Sequence, residues 1–192
     1  MRTKNDSNVV ILASASPRRK DILTDMGVEF DVEPSYIDES KIKALLPSNL
    51  VKRLAKAKAI DVARTKSGMS VIISADTVVA KGFKVYGKPR NEKDAVRMIS
   101  SLNNKWHTVY TGVCVLCDGR AKVFCVASKV RFKNLTTSQI EEYVNTYKPF
   151  DKAGAYGIQD DKIVEKYKGS YTNIVGLPKE KLAEVLRQVG VI

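Results

Sequence analysis

The stretch Ala13-Ser14-Ala15-Ser16-Pro17-Arg18-Arg19 sets two hydroxyls and two guanidinium groups at what reads as a strand-to-helix junction. A helix start leaves backbone N–H groups unpaired, so this combination is the chemistry of an anion or phosphate site. It is not a Walker motif, because the glycines and the Gly-Lys-Ser/Thr ending are absent. A second stretch, Ser74-Ala75-Asp76-Thr77, puts a carboxylate at the end of an apolar strand, the edge on which α/β enzymes place catalytic groups. Asp76 is suited to bind a hard cation through oxygen or to act as a general base toward water, and Asp38-Glu39 after another strand offers a further oxygen ligand. Plainer readings stand beside these: Ser16 as a cap with solvated arginines, Asp76 as a turn residue, Asp38-Glu39 as a surface pair.

Lys58 falls inside an apolar stripe, four residues from Leu54 and four from Val62, so its ammonium must either snorkel to water or meet an anion. Lys88 sits in the fixed turn Gly87-Lys88-Pro89, aimed at a phosphate or simply exposed. The segment Asp151-Lys152-Ala153-Gly154-Ala155-Tyr156-Gly157-Ile158-Gln159 is small enough for its backbone to approach a flat ligand, and Gln159 offers both a donor and an acceptor to a base edge. Cys114 and Cys117 have the C-x-x-C spacing, but an offset of three in a strand puts the thiols on opposite faces, which argues against zinc. His107 is the only histidine, and no nucleophile elbow accompanies it to build a Ser-His-Asp triad.

The elements that must hold these groups alternate between strand and helix. Asn8–Ala13 reads as a short buried strand. Ser16-Pro17 starts a helix over Ile22, Leu23 and Met26 that ends at Gly27. Val28–Val32 alternates as a strand closed by Pro34, and Pro47-Ser48 opens a helix closed by Gly68. Val71–Ser74 is a strand, Val78–Val85 a hairpin around Gly82, and Asn91 caps a helix through Leu102. Trp106–Cys117 and Ala121–Phe132 pair across Asp118-Gly119. Ser138 and Glu141 form a capping box for a helix through Tyr147, Ile158–Lys166 contains a strand, and Lys179–Val189 is a terminal helix. The sum is an α/β protein with a mixed sheet, read as one domain over residues 1–192 with no linker or repeat.

Composition narrows the classes. At 44% hydrophobic and 28% charged over 192 residues the chain is globular, not disordered. No apolar run approaches the ~18–20 residues that cross a bilayer, and Met1–Ser7 lacks the apolar core of a secretory signal, so no membrane association and a cytoplasmic location are expected. Three cysteines fit a reducing compartment. A net charge of +12 favours polyanionic partners. One reading of that charge is a nucleic-acid-binding module, which predicts a continuous basic face. A single Trp and no RRM-type strand motif speak against it, and no stable nucleic-acid complex is expected.

The ordered motifs ASASPRRKDIL, LAKAKA, SADTVV, GKP, HTVYTG, DKAGAYGIQ and VGLP resemble the Maf family of nucleoside triphosphate pyrophosphatases, from about Val10 to the C-terminal helix. The resemblance implies an elongated mixed sheet with flanking helices and two lobes around a cleft, like the inosine triphosphate pyrophosphatase fold. It implies hydrolysis of a nucleoside triphosphate to monophosphate and pyrophosphate with Mg²⁺ or Mn²⁺, and a homodimer. By position, Asp76 matches the family's acidic base, and Arg18, Thr77 and Gln159 match positions tied to substrate choice. Ser14, Ser16, Arg19, Lys58 and Lys88 would hold phosphates, and Glu39 would assist Asp76 with metal. DKAGAYGIQ resembles the branch acting on dTTP and UTP, with a purine-specific pyrophosphatase as the alternative. One departure is Ser101-Leu102-Asn103-Asn104-Lys105, where the family carries Leu-Ser-Gly.

Overall fold

A computed structural model describes residues 9–66 and 70–192. The expected first strand residue Asn8, the polar Met1–Ser7 and the helix stop at Gly68 lie outside the described residues. The strands are β1 (Val9–Leu12), β2 (Asp31–Val32), β3 (Ser70–Lys81), β4 (Lys84–Tyr86), β5 (Trp106–Cys117), β6 (Arg120–Phe132) and β7 (Val164–Lys168). The helices are α1 (Pro17–Asp25), α2 (Pro47–Ala63), α3 (Glu92–Leu102), α4 (Thr137–Tyr147), α5 (Tyr171–Val175) and α6 (Lys179–Gln188). All seven strands form one sheet in the order β2-β1-β3-β5-β6-β7, with β4 paired to the far end of β3. Pairing is parallel for β1 with β2 and β3, and antiparallel elsewhere. The expected mixed α/β sheet is therefore present.

That pairing leaves a gap which positions everything else. β1 pairs with β3 only as far as Ile73, and β4 begins to pair at Val79. Among the described residues, positions 74–78 of β3 therefore have no strand beside them on that edge, while β5 continues along the other. The core divides on either side of the gap. At one end α1 and α6 pack Ile22, Leu23, Leu182 and Leu186 on Leu12, Ile73 and Val113. At the other, α3 and α4 pack Ile99, Leu102, Ile140 and Val144 on Val79, Val109 and Val130. These two clusters lie on one face of the sheet. On the opposite face the core cluster is built by α2, through Ala55, Ala59 and Val62 against Ile11, Ile72 and Cys114. Here Gly112 is required by contact: a Cβ on it would stand 2.4 Å from the backbone carbon and oxygen of Val51, so any side chain would lift α2 off β5.

Several expectations change in the structure. The strand read at Val28–Val32 is reduced to Asp31–Val32, because Gly27 takes φ 70° and the chain must swing from α1 to the edge of β1 before pairing. Val71–Ser74 and Val78–Val85 are not separate: β3 runs unbroken to Lys81, held throughout by β5. The capping box is Thr136 with Gln139 rather than Ser138 with Glu141, two residues earlier. The strand expected within Ile158–Lys166 is present as β7 from Val164 onward, and Ile158–Asp160 before it is a 3₁₀ turn. Asn104, in the segment that departs from the family pattern, takes φ 52°. Asn is among the few side chains that tolerate this left-handed region, so the turn accepts it. Among the described residues no helix is long and apolar enough to cross a membrane.

His107, 3% exposed, bonds through Nε2 to Tyr156 Oη at 2.8 Å and packs edge-on to Phe132. Burial pushes its pKa down to about 4. The unfolded chain takes up this proton near 6.5 whereas the folded one does not, so stability falls as pH drops from about 6.5 to about 4, by roughly 3 kcal/mol in all. Because this is the sole histidine, urea unfolding of the wild type and of His107→Phe between pH 7 and 4.5 isolates the effect. The variant, less stable at pH 7, is expected to show a flatter acid limb. Parallel limbs would remove the assignment.

Candidate active site

A cleft of about 630 Å³ opens beside the unpartnered stretch of β3, at the C-terminal ends of β1 and β2. Chain turns that leave parallel strands at such an edge are where open α/β sheets hold ligands. Each sequence-predicted residue lines it: Ser14, Ser16, Arg18 and Arg19 from the β1–α1 junction, Glu39 from the loop after β2, and Lys58 from α2. Asp76 and Thr77 come from β3, Lys88 from the turn after β4, and Gln159 from the 3₁₀ turn before β7. Five cationic and three carboxylate side chains line the cleft, which leaves it net positive and suited to a polyanion.

The centre of the site is Lys58. Its Nζ lies 2.6 Å from Asp76 Oδ1 and 2.8 Å from Glu39 Oε1, so the lysine found inside an apolar stripe meets two anions instead of snorkelling. α2 is held at this height by Ser74 Oγ, which donates to the Ala55 carbonyl at 2.6 Å. Asp76 is 8% exposed. Among the described residues, the second oxygen of Asp76 and of Glu39 has no hydrogen-bond partner, and no group of three His, Cys, Asp or Glu side chains stands ready to hold a metal alone. Two carboxylates with a free oxygen each fit Mg²⁺ or Mn²⁺, which commonly binds one or two protein carboxylates plus substrate phosphates.

Arg19 is the brace of the phosphate side. Its Nε donates to the Gly176 carbonyl at 2.9 Å, Nη1 to Ser14 Oγ at 3.0 Å and Nη2 to Thr77 Oγ1 at 3.2 Å. Three of its five N–H groups are thereby used, leaving two for a ligand. Burial pushes the Arg19 guanidinium below its ordinary value and the Asp76 charge pulls it back; a guanidinium so placed remains cationic. Ser14 and Thr77, expected to touch substrate, are thus tied first to Arg19, and Ser14 Oγ also accepts the Ser16 N–H at 3.3 Å. Ser16 makes no side-chain cap bond to α1, which leaves its hydroxyl open to the cleft.

Arg18 reaches across the cleft to Asp151, Nη1 to Oδ2 at 2.6 Å. Burial pushes the Asp151 carboxyl up, but the hydrogen bond and charge of Arg18, with Lys152 beside it, hold it below the usual carboxylate range. The far wall is apolar: Val79, Val109, Tyr156, Ile158 and Ile174 surround the segment that carries Gln159. That segment is pinned from beneath. Tyr143 Oη accepts the Gly157 N–H at 3.1 Å and donates to Asp160, while the Gly154 N–H donates to the Gly87 carbonyl at 2.9 Å, tying the Lys88 turn to it.

Sequence reasoning gave no role to Asp151, Lys152, Thr111 or Asn173. Thr111 Oγ1 bonds Thr77 Oγ1 at 2.9 Å and donates to the Asn173 carbonyl, and Asn173, in the unforeseen helix α5, donates to the Val109 carbonyl and Ser128. Asp151 and Lys152 open a segment already singled out, and their signal was a charged pair at its head. For Asn173 the polar run Ser170–Asn173 carries no such signal.

The profile of a family described as Maf-like protein matches residues 9–189. A dTTP/UTP pyrophosphatase of Thermosipho africanus is 46% identical over 185 residues, covering 95% of this chain and 94% of that protein. A dTTP/UTP pyrophosphatase of Desulforamulus reducens is 43% identical, covering 95% and 97%, and one of Aquifex aeolicus 41% identical, covering 95% and 96%. The crystal structure of a nucleoside-triphosphatase, a dITP/XTP pyrophosphatase of Mycobacterium abscessus, aligns with a TM-score of 0.44 at 14% identity over 94% of this chain and 96% of that one.

Proposed function

The chain belongs to the Maf-like protein family, and we propose that it hydrolyses dTTP and UTP to the monophosphate and pyrophosphate in a reaction that needs Mg²⁺ or Mn²⁺. The observation that carries this reading is Lys58 held between Asp76 and Glu39 in a cationic cleft. A triphosphate brings its negative charge to Arg18, Lys88 and the first N–H groups of α1, all of which line the cleft. Asp76 takes a proton from water as the water oxygen bonds to the α-phosphorus, and the bond from that phosphorus to the bridging oxygen breaks, releasing pyrophosphate. Lys58 orients Asp76 and balances its charge. Asp76 and Glu39 would hold the divalent ion, which when bound neutralises phosphate charge and acts as a Lewis acid.

Base choice falls to the apolar wall and Gln159, whose amide pairs with the donor and acceptor edge of a pyrimidine. Gln159→Ala is expected to raise KM for UTP and dTTP about tenfold, the worth of one or two hydrogen bonds, with kcat nearly kept. Kinetics on a panel of canonical and modified triphosphates measure it. Preference for purines in the wild type would overturn the substrate reading, and release of pyrophosphate from none of them the enzymatic one. Hydrolysis in ¹⁸O water should label the monophosphate; label confined to pyrophosphate would place the attack at another phosphorus.

A further inference from the structure

Beyond α2, the face of the sheet that carries this helix has no helix packed on it among the described residues. The five remaining helices contribute to the opposite side, yet β5, β6 and β7 continue past Gly112. Cross-strand register puts Trp106, Arg131 and Lys166 in one row, Thr108, Lys129 and Lys168 in the next, and Tyr110 and Ala127 in a third. Their partners of opposite parity, His107, Val109 and Val130, are buried on the other side, so these rows share the open face. Lys129, Lys166 and Lys168 are exposed, and Trp106 and Tyr110 half-buried. The Lys168 ammonium lies 5.8 Å from the Trp106 ring centroid.

We propose that this helix-free face, centred on Trp106, Tyr110, Lys129, Arg131 and Lys168, is a docking surface for single-stranded nucleic acid. Charge complementarity selects the occupant. Glu165, the carboxylate among these rows, is engaged by Arg131 at 2.9 Å and Lys166 at 3.2 Å, whereas Lys129 and Lys168 have no carboxylate partner among the described residues. Two aromatic rings interleaved with cations that lack a carboxylate partner on an open sheet face match a ligand that offers both phosphates and accessible base faces. A duplex hides its bases. A second copy of this chain would bring two faces of like charge together on a protein already at +12. Rows repeat every ~7 Å along a strand and strands lie ~4.8 Å apart, which gives room for about two or three nucleotides. This is the continuous basic face that the net charge alone could not locate, and residues from three strands, β5, β6 and β7, had to be brought into register before it existed.

Trp106 is the sole tryptophan and does not line the cleft, so its intrinsic fluorescence reports on this face alone. Titration of the full chain with a mixed-sequence single-stranded 12-mer is expected to quench it saturably, with affinity falling roughly tenfold between 50 and 200 mM salt. Lys129→Glu with Lys168→Glu, two exposed positions whose reversal leaves the core untouched, should weaken binding of a labelled oligomer at least tenfold while pyrophosphate release from UTP is unchanged. Absence of quenching, displacement of the oligomer by excess dTTP, equal affinity for duplex, or an unaffected double variant would each overturn the proposal. So would binding to phosphatidylserine vesicles, or concentration-dependent self-association, without oligomer binding.

Discussion

Replacing Asp76 by Asn is expected to lower kcat for pyrophosphate release about a thousandfold or more while leaving the fold in place. The size follows from the role: a positioned general base contributes roughly 10²–10⁴ in rate, and this carboxylate is also half of the pair that would hold the divalent ion. Survival of the fold follows from the surroundings. Asn has the same shape, its side-chain oxygen still accepts from Lys58, and Lys58 keeps Glu39 at 2.8 Å, so no buried charge is left without a counter-ion. Loss of a buried partner with nothing to replace it costs about 3–5 kcal/mol; here the cost should stay near 1 kcal/mol, read as a small shift of the urea midpoint at constant slope. Near-wild-type turnover would remove Asp76 from the chemistry. A large change in the unfolding slope would mean that the variant reports on folding.

The sequence showed which groups would meet, and less of how they are held. Asp76, Lys58 and the Ser14–Arg19 junction stood out because each is a polar group where local periodicity calls for an apolar or inert one, and that mismatch is visible in a single segment. Long-range partners leave no such mark. Arg19 bonds to Gly176, 157 residues away, and Arg18 to Asp151, 133 away; nothing in either segment names the other. Local signals also misplaced boundaries where two were in competition. Thr136 and Ser138 both offer a cap hydroxyl with a carboxamide or carboxylate three residues on, and the structure takes the first. The strand contained in Ile158–Lys166 starts only at Val164, because Tyr143 captures the Gly157 N–H and Asp160 and folds the polar residues before it into the turn that presents Gln159. The gap along β3 was invisible for a different reason: it arises from where β1 stops and β4 starts, not from any property of residues 74–78.

Lys58 makes the sharper test, because its effect should depend on Asp76. Lys58→Met keeps the length and packing of the stem on the buried side of α2 and removes only the ammonium. Asp76 and Glu39, both bonded to that ammonium, then face each other unneutralised at the place where a triphosphate must bring further negative charge. Loss of a charge-assisted contact to both carboxylates is expected to lower kcat/KM about a hundredfold. If Lys58 acts by orienting and balancing Asp76, the double variant Lys58→Met with Asp76→Asn should be little worse than Asp76→Asn alone, since residues that work as a unit lose activity non-additively. Steady-state kinetics on UTP for the two single variants and the double complete the cycle. Full additivity of the two losses would mean that Lys58 binds phosphate independently of Asp76, and the 2.6 Å bond between them would then be a feature of the free enzyme that substrate breaks.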